Sequence, residues 1–146
     1  MLYVFDIDGT IADISHRLHF ITKPEKDWTA FYLAAAEDQP IWDTITVARA
    51  LAKAGHRIIY ITGRSEDIRG ITNAWLLKYR VHHGLLYMRK ANDYREDFQV
   101  KSEILDKILN TPGFEKIDGV FEDRQQVVDM YRARGIRVFQ CAKGDF

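Results

Sequence analysis

Short apolar runs recur along the chain, and longer segments with helical spacing of apolar positions separate them. Runs of this kind predict strands buried on both faces, whereas spacings of three and four residues predict amphipathic helices. The predicted strands are residues 2–5, 57–64, 85–88, 117–121 and 136–140. The predicted helices are residues 28–36, 41–54, 67–79, 97–109 and 125–134.

This alternation of strands and helices predicts the α/β class. We expect a parallel sheet with helices on both faces, a three-layer α/β/α sandwich, in a single domain spanning residues 1–146. Residues 14–40 interrupt the alternation, and we interpret them as a small cap-like insertion after the first strand. Its aromatic residues Trp28, Phe31 and Tyr32 either wall a substrate pocket or form a local core.

Two carboxylates directly follow the first predicted strand, in residues 6–10, which read Asp-Ile-Asp-Gly-Thr. Side chains two apart on extended chain point the same way, so Asp6 and Asp8 share one side. Close carboxylates repel each other unless a cation or a shared proton relieves the repulsion. The pattern therefore indicates a Mg²⁺ site with a nucleophilic aspartate beside an acid/base aspartate. The alternative is an acidic turn after a hydrophobic strand.

Polar residues also follow two other predicted strands. Thr62, Gly63 and Arg64 supply a hydroxyl, backbone amides and a forked guanidinium, which suit an oxyanion. Glu122 and Asp123 follow the fourth strand. Ligands of such folds bind outside the carboxyl ends of the strands. We therefore expect all three clusters at one edge, where the acids hold Mg²⁺ and the cations hold the substrate anion.

Several charged residues outside the strand ends have two interpretations. Asp97 and Lys101 are four apart on a predicted helix, so the lysine either reaches a phosphate or forms an ordinary surface ion pair. His16 and Arg17 could reach the site or lie on the solvated surface, and for His16 the surface is favoured.

A basic stretch with interleaved tyrosines lies between the third strand and the fourth helix. A lip that binds a single strand would combine such stacking and charge, although a solvated loop is favoured slightly. The residues concerned are Tyr87, Arg89, Lys90, Tyr94 and Arg95.

Composition narrows the class of protein only modestly. Hydrophobic content of 47% and charged content of 29% are ordinary for a soluble globular protein. A formal net charge of zero gives no whole-protein attraction to nucleic acid, although a local basic patch is compatible with it. The single cysteine, Cys141, excludes an internal disulfide and is expected to be a small core residue. Without a membrane-length apolar stretch or a signal peptide, we expect a soluble cytoplasmic protein with no membrane partner.

Taken together, these motifs resemble the haloacid dehalogenase (HAD) superfamily of phosphohydrolases over essentially the whole chain. More narrowly, they resemble the 3′-phosphatase domain of phage-type polynucleotide kinase–phosphatases. The closer match rests on Arg17, residues 62–64 and 75–76, the spaced positions in residues 93–101 and 123–135, and the terminal residues 144–146.

The resemblance implies a role for each carboxylate. Asp6 would attack phosphorus and form an aspartyl-phosphate. Asp8 would protonate the leaving hydroxyl and then activate water. The backbone carbonyl of Asp8 would join Asp6 and Asp123 around Mg²⁺. An Asp-Asp pair is common where this chain has Glu122-Asp123, so Glu122 could act through water, and Asp123 is the safer ligand.

The resemblance also implies roles for the cations. Thr62 and Lys101 would hold the phosphoryl oxygens, and Lys101 would offset the charge on Asp6. Arg17, Arg64 and Asp97 match positions for substrate contact or for orienting the lysine, and Gly63 would lie against the substrate.

The implied activity is Mg²⁺-dependent hydrolysis of phosphomonoesters, with 3′-phosphorylated nucleic acid ends as the expected substrate. No Gly-x-x-x-x-Gly-Lys-Ser/Thr loop occurs in the sequence, so no kinase half is expected. The alternatives are a 5′- or 3′-nucleotidase acting on nucleotides, another small-molecule HAD phosphatase, or a phosphate-binding module without catalysis. The sequence gives no indication of oligomeric state.

Overall fold

A computed structural model describes residues 1–81 and 84–144. Five strands form a parallel sheet in which the first strand of the chain is central, and two short strands form a separate antiparallel pair. The strands are β1 (Leu2–Phe5), β2 (Ala12–Asp13), β3 (Gln39–Pro40), β4 (Arg57–Ser65), β5 (Leu85–Arg89), β6 (Gly119–Glu122) and β7 (Val138–Gln140). The order in the main sheet is β5-β4-β1-β6-β7.

Six α-helices and three single 3₁₀ turns complete the described part of the chain. The helices are α1 (His19–Thr22), α2 (Trp28–Leu33), α3 (Trp42–Lys53), α4 (Arg69–Lys78), α5 (Asp97–Leu109) and α6 (Gln125–Ala133). The 3₁₀ turns are Ser15–Arg17, Ala34–Glu37 and Glu66–Ile68. All five predicted strands and all five predicted helices are therefore confirmed, with ends that differ by a few residues.

The faces of β1 divide the core in two. Val4 packs with Leu105 and other apolar residues of α5 and α6 on one face, and Phe5 packs with Ile45 of α3 and Trp75 of α4 on the other. This alternation follows from the period of two along a strand. The predicted three-layer α/β/α fold of the HAD type is confirmed.

Residues 14–40 lie between β2 and α3, and their two ends are tied to the rest of the structure. The Asp27 side chain accepts a hydrogen bond from Ala30 N at 3.0 Å and caps α2. At the far end, the indole Nε1 of Trp75 donates to the carbonyl of Asp38 at 2.8 Å. The segment is thus anchored on α4 beside the carboxyl ends of β1 and β4.

The structure corrects one expectation drawn from the sequence and leaves part of another outside the described residues. Cys141 is exposed rather than buried in the core, because it lies beyond the end of the edge strand β7. Asp145 and Phe146, which contribute to the closer family resemblance, lie outside the described residues. Among the described helices, none has both the length and the apolar character needed to cross a membrane.

Candidate active site

The carboxyl ends of β1, β4 and β6 meet in one cleft of about 630 Å³. Asp6 and Asp8 follow β1, Arg64 belongs to the end of β4, and Asp123 follows β6. All four line the cleft. The expectation that three polar clusters share one edge of the sheet is therefore met.

Asp6 is buried and hydrogen-bonded through both carboxylate oxygens. Its Oδ1 accepts from Lys101 Nζ at 2.7 Å, and its Oδ2 accepts from the Thr10 hydroxyl at 3.0 Å. Lys101 Nζ also donates to Glu122 Oε2 at 2.8 Å and lies 3.4 Å from Asp97 Oδ2. The predicted pair of Asp97 and Lys101 forms, but the lysine makes its shorter contacts to the ends of β1 and β6.

The Lys101 ammonium is fully charged in this setting. Burial on its own would lower the pKa of Lys101, but the surrounding carboxylates of Asp6, Asp97 and Glu122 outweigh burial and raise that pKa well above its usual value. A permanent positive charge therefore lies against one oxygen of Asp6.

Three carboxylates, which we call the acidic cluster, approach closely enough to bind one cation. One oxygen from each lies within 4.8 Å of the others, and the members are Asp6, Glu122 and Asp123. Burial, together with the charge of a neighbouring carboxylate, raises the pKa of each member to about 7. A divalent cation would relieve this repulsion, and an all-oxygen donor set suits Mg²⁺.

Glu122 differs from the other two members because, among the described residues, its carboxylate accepts three hydrogen bonds, whereas that of Asp6 accepts two and that of Asp123 one. Oε2 accepts from Lys101 Nζ, and Oε1 accepts from the backbone N–H groups of Asp123 and Arg124 at 3.1 and 3.2 Å. Glu122 is thus turned toward the lysine and the loop after β6, which leaves Asp6 and Asp123 as the members with more open coordination.

Asp8 lies in a different environment although it is only two residues from Asp6. Its Oδ1 accepts from Arg17 Nη2 at 3.0 Å and from Arg64 Nε at 2.8 Å. Burial would raise the pKa of Asp8, but the charges of Arg64 and Arg17 outweigh burial and lower it. The side chain of Asp8 is directed to these arginines and is not a member of the acidic cluster. Environments that separate two neighbouring carboxylates in this way are typical of acid–base chemistry.

A further carboxylate, Asp38, holds both arginines from the other side and was missed by the sequence analysis. Its Oδ1 accepts from Arg17 Nε at 2.8 Å, and its Oδ2 accepts from Arg64 Nη2 at 2.8 Å. Arg17 and Arg64 are almost fully buried between Asp8 and Asp38, and we call these four residues the arginine clamp. His16 is exposed, as the sequence analysis favoured, although its Nε2 also lies 2.7 Å from Asp38 Oδ1.

The comparisons with known proteins agree with this geometry. The family model of the phosphatase domain of polynucleotide kinase, PNKP, matches residues 1–146. The chain belongs to this family. It is thus a HAD-type phosphatase domain, an enzyme, and both the broad and the closer resemblance seen in the sequence are confirmed.

Solved structures of the same fold include two complexes that contain Pnkp1. A chain of the Pnkp1/Rnl/Hen1 complex superposes with a TM-score of 0.82 and 30% identity over 99% of this phosphatase domain and 47% of that chain. A chain of the Pnkp1/Rnl/Hen1 RNA repair complex superposes with a TM-score of 0.80 and 28% identity over 99% of this domain and 43% of that chain. The phosphatase domain therefore spans less than half the length of these two chains.

A more distant structure shares the fold alone. The class C acid phosphatase from Bacillus anthracis with tungstate bound superposes with a TM-score of 0.68 and 15% identity, over 99% of this domain and 67% of that chain.

Gly63 of the phosphatase domain permits a close approach that no other residue would allow. A Cβ built on Gly63 would lie 2.2 Å from Asp97 Oδ1, well inside van der Waals contact. The buried Asp97 carboxylate therefore packs directly against the backbone near the end of β4 and faces Lys101 from there. The Thr62 hydroxyl accepts a hydrogen bond from the backbone N–H of Arg64 at 3.2 Å. Its predicted contact with a phosphoryl oxygen stays a prediction.

The loop that follows β5 is held by Arg89, which the sequence analysis treated as part of a solvated loop or lip. Arg89 Nε donates to the carbonyl of Gly63 at 2.9 Å, and its Nη1 donates to the carbonyls of Asp93 and Arg95 at 3.2 and 2.6 Å. Arg89 thus joins the loop to the end of β4, whereas Tyr94 on the same loop is exposed.

Proposed function

We propose that this phosphatase domain is a Mg²⁺-dependent phosphomonoesterase that removes 3′-phosphates from nucleic acid ends through an aspartyl-phosphate intermediate. The observation that carries the proposal is the Asp6 carboxylate, held between Lys101 Nζ and the Thr10 hydroxyl in a family whose model is the PNKP phosphatase domain. The Pnkp1 complexes with Rnl and Hen1, one of which is an RNA repair complex, support the choice of a nucleic acid substrate.

In the first step, a carboxylate oxygen of Asp6 forms a bond to phosphorus while the bond from phosphorus to the 3′-oxygen breaks. Lys101 opposes the protonation of Asp6 that burial favours, and it offsets the charge that gathers at phosphorus. Asp8 gives a proton to the leaving 3′-oxygen. Positioning and charge compensation are the main requirements of phosphoryl transfer, and buried cations meet both.

The arginine clamp couples substrate binding to the protonation of Asp8. Without a ligand, Arg17 and Arg64 hold Asp8 ionised. A phosphate dianion that accepts hydrogen bonds from the same guanidinium groups would withdraw them from Asp8. The pKa of Asp8 would then rise and the carboxylate would take up a proton from solvent, as its role as a general acid requires. The proton that Asp8 holds after the second step returns to solvent when phosphate leaves and the arginines pair with Asp8 again.

In the second step, water attacks the phosphorus of the aspartyl-phosphate. Asp8, now ionised, accepts the proton of this water, the bond from phosphorus to the Asp6 oxygen breaks, and inorganic phosphate leaves. Asp6 and Asp8 return to their starting states, so each turnover consumes one ester and one water.

The acidic cluster is the proposed metal site. Asp6, Asp123 and the backbone carbonyl of Asp8 are the proposed ligands, and Glu122 would act through water. Mg²⁺ would supply positive charge against the phosphoryl oxygens and the Asp6 carboxylate. We further propose that residues 1–146 act as one catalytic unit in which residues 14–40 form a small cap, since these residues supply Arg17 and Asp38 to the clamp.

The test is phosphate release in the presence of Mg²⁺ from four substrates. These are a 3′-phosphorylated oligonucleotide, a 3′-mononucleotide, a 5′-phosphorylated oligonucleotide and glycerol phosphate. We expect the first to have the highest kcat/KM by a wide margin, with Asp6→Asn protein inactive on all four. Equal or better turnover of the mononucleotide or of glycerol phosphate would leave the proposed reaction intact but refute the proposed substrate. Activity in Asp6→Asn protein would refute the role of Asp6 as nucleophile.

A further inference from the structure

The cleft that contains Asp6 and Asp8 is also lined by α2 and by the loop after β5, and each of these two walls carries an exposed aromatic side chain at the mouth of the cleft. Trp28, from α2, is 44% exposed on one wall, and Tyr94, from the loop after β5, is 86% exposed on the other. Both residues line the same cleft as the catalytic carboxylates.

Trp28 is held in place relative to the arginine clamp. Its ring meets the Phe31 ring edge-on at 5.6 Å and 90°, and it lies 6.0 Å from the Tyr32 ring. Phe31 is buried, and the guanidinium carbon of Arg17 lies 4.2 Å from the centre of its ring. An unbroken chain of contacts therefore runs from Asp8 through Arg17 and Phe31 to the indole, which leaves part of its surface free.

Tyr94 is presented by a loop whose backbone is fixed at both sides. Arg89 donates to the carbonyls of Asp93 and Arg95, the residues that flank Tyr94. The Arg95 side chain in turn pairs with the carboxylates of Asp93 at 2.7 Å and Glu103 at 2.8 Å. The exposed ring of Tyr94 contributes little to the core, so its position on an ordered loop is not explained by packing.

Cations accompany both aromatic residues at the mouth. Lys26 Nζ lies 5.8 Å from the centre of the Trp28 ring, and Lys90 is exposed on the wall that carries Tyr94. Both lysines line the cleft. Exposed aromatic faces beside cations along one groove are the combination that binds single-stranded nucleic acid, because bases stack on the rings and the cations attract the phosphates.

We propose that Trp28 and Tyr94 form a stacking subsite for the bases next to the 3′-phosphate of a single-stranded nucleic acid. This inference rests on the proposed function, since it places the 3′-phosphate at Asp6. It names the substrate class more narrowly, because a base that is paired and stacked within a duplex does not offer its face to a side chain. A cleft of about 630 Å³ lies within the range of roughly 300–1,000 Å³ that encloses a small ligand, so only the terminal nucleotides enter it.

The first experiment compares substrates in variants of the two aromatic residues. We expect Trp28→Ala and Tyr94→Ala each to lower kcat/KM on a single-stranded 3′-phosphorylated oligonucleotide by about 5-fold to 150-fold, mainly through KM, because each lost stacking contact costs that much in affinity. The ring-retaining Trp28→Phe and Tyr94→Phe variants should keep most of the activity. On an oligonucleotide whose last two residues are abasic, and on glycerol phosphate, the alanine variants should equal the parent.

The matched control is Trp42→Ala. Trp42 is 52% exposed, like Trp28, but belongs to α3 and does not line the cleft. Its removal should leave every rate unchanged. A loss of the same size on all substrates in the Trp28 and Tyr94 variants would overturn the proposal, as would an equal loss in the control or a phosphoserine peptide that outcompetes the oligonucleotide.

A binding measurement separates the subsite from the proposed activity. Fluorescence anisotropy of the oligonucleotide on Asp6→Asn protein should show weaker binding of the abasic-ended strand, and adding Trp28→Ala should remove this difference. If the parent hydrolyses no 3′-phosphate yet the difference is present, the proposed function fails and the subsite stands. If the two strands bind equally, the subsite is refuted whatever the activity.

Discussion

Substitution of Asp38 by asparagine tests the arginine clamp most directly. Asp38 is fully buried, and its carboxylate accepts from Arg17 Nε and Nη2, from Arg64 Nη2, and lies 2.7 Å from His16 Nε2. Two guanidinium charges are balanced in the clamp by two carboxylates, Asp8 and Asp38. Asp38→Asn therefore leaves one buried positive charge unbalanced. The asparagine amide also offers one acceptor oxygen in place of two, and its N–H₂ group would face guanidinium groups that can only donate.

The expected cost follows from this uncompensated charge. Removal of one partner from a buried ion pair destabilises a protein by about 3–5 kcal/mol. For a domain of this size each kcal/mol lowers the unfolding temperature by about 2–4 °C, so a fall of roughly 6–20 °C is expected. The guanidinium groups that hold Asp8 would also lose their fixed positions, and misplacement of this kind lowers kcat by about 100-fold.

Thermal unfolding and phosphate release on the same preparations provide the assay, with rates measured well below the unfolding temperature of each variant. Asp129→Asn is the matched control, because Asp129 is exposed on α6 and accepts from the Gln125 amide at 2.8 Å. It should stay within about 0.5 kcal/mol of the parent. If Asp38→Asn were as stable and as active as this control, the claim that Asp38 balances the clamp would be refuted.

Three further predictions concern the end of β4 and the acidic cluster. Gly63→Ala should lower kcat/KM by about 10- to 100-fold, because its Cβ would displace Asp97. Gly70→Ala, whose Cβ meets nothing within 4 Å, should keep the parent rate and gain up to about 1 kcal/mol of stability; equal rates for the two variants would contradict the packing argument. Phosphate release should stop in EDTA and return with excess Mg²⁺, and a rate that survives EDTA would exclude a metal requirement. In the metal-free protein the pKa values of the cluster are raised to about 7, so the folded chain retains protons that the unfolded chain releases above about pH 4. These groups therefore reduce the free energy of unfolding as pH rises from about 4 to 7. The increase in unfolding temperature on adding Mg²⁺ should accordingly be larger at pH 8 than at pH 6, and an equal increase at both would count against the cluster as the metal site.

The sheet and the three polar strand ends could be predicted because each depends on local pattern. The apolar run before Asp6, the run before Thr62 and the run before Glu122 identify buried strands, and parallel strands bring their carboxyl ends to one edge. The contact of Asp97 with Lys101 could be predicted from helical spacing in the same way. These inferences needed no knowledge of which helix packs on which strand.

The arginine clamp could not be predicted, because its members are brought together only by tertiary structure. Asp38 lies in an irregular stretch between a 3₁₀ turn and β3, and its partners Arg17 and Arg64 are 21 and 26 residues away. Arg89 was misjudged for a similar reason, since its acceptors are backbone carbonyls that carry no sequence signal. Cys141 follows an apolar run, but that run is an edge strand whose last residues are exposed.

The central place of β1 has a consequence for how this chain folds during synthesis. The strand is made first, yet its two neighbours in the sheet are β4 and β6, which begin at residues 57 and 119. At a translation rate of about 5–20 residues per second, roughly 6–23 s separate the synthesis of β1 from that of β6. Through this interval an apolar strand retains at least one unpaired edge, which is the kind of surface that associates with other chains. Nascent chains are therefore most prone to aggregate before the second half of the sheet emerges, and Asp6 acquires its complete set of partners only at the end.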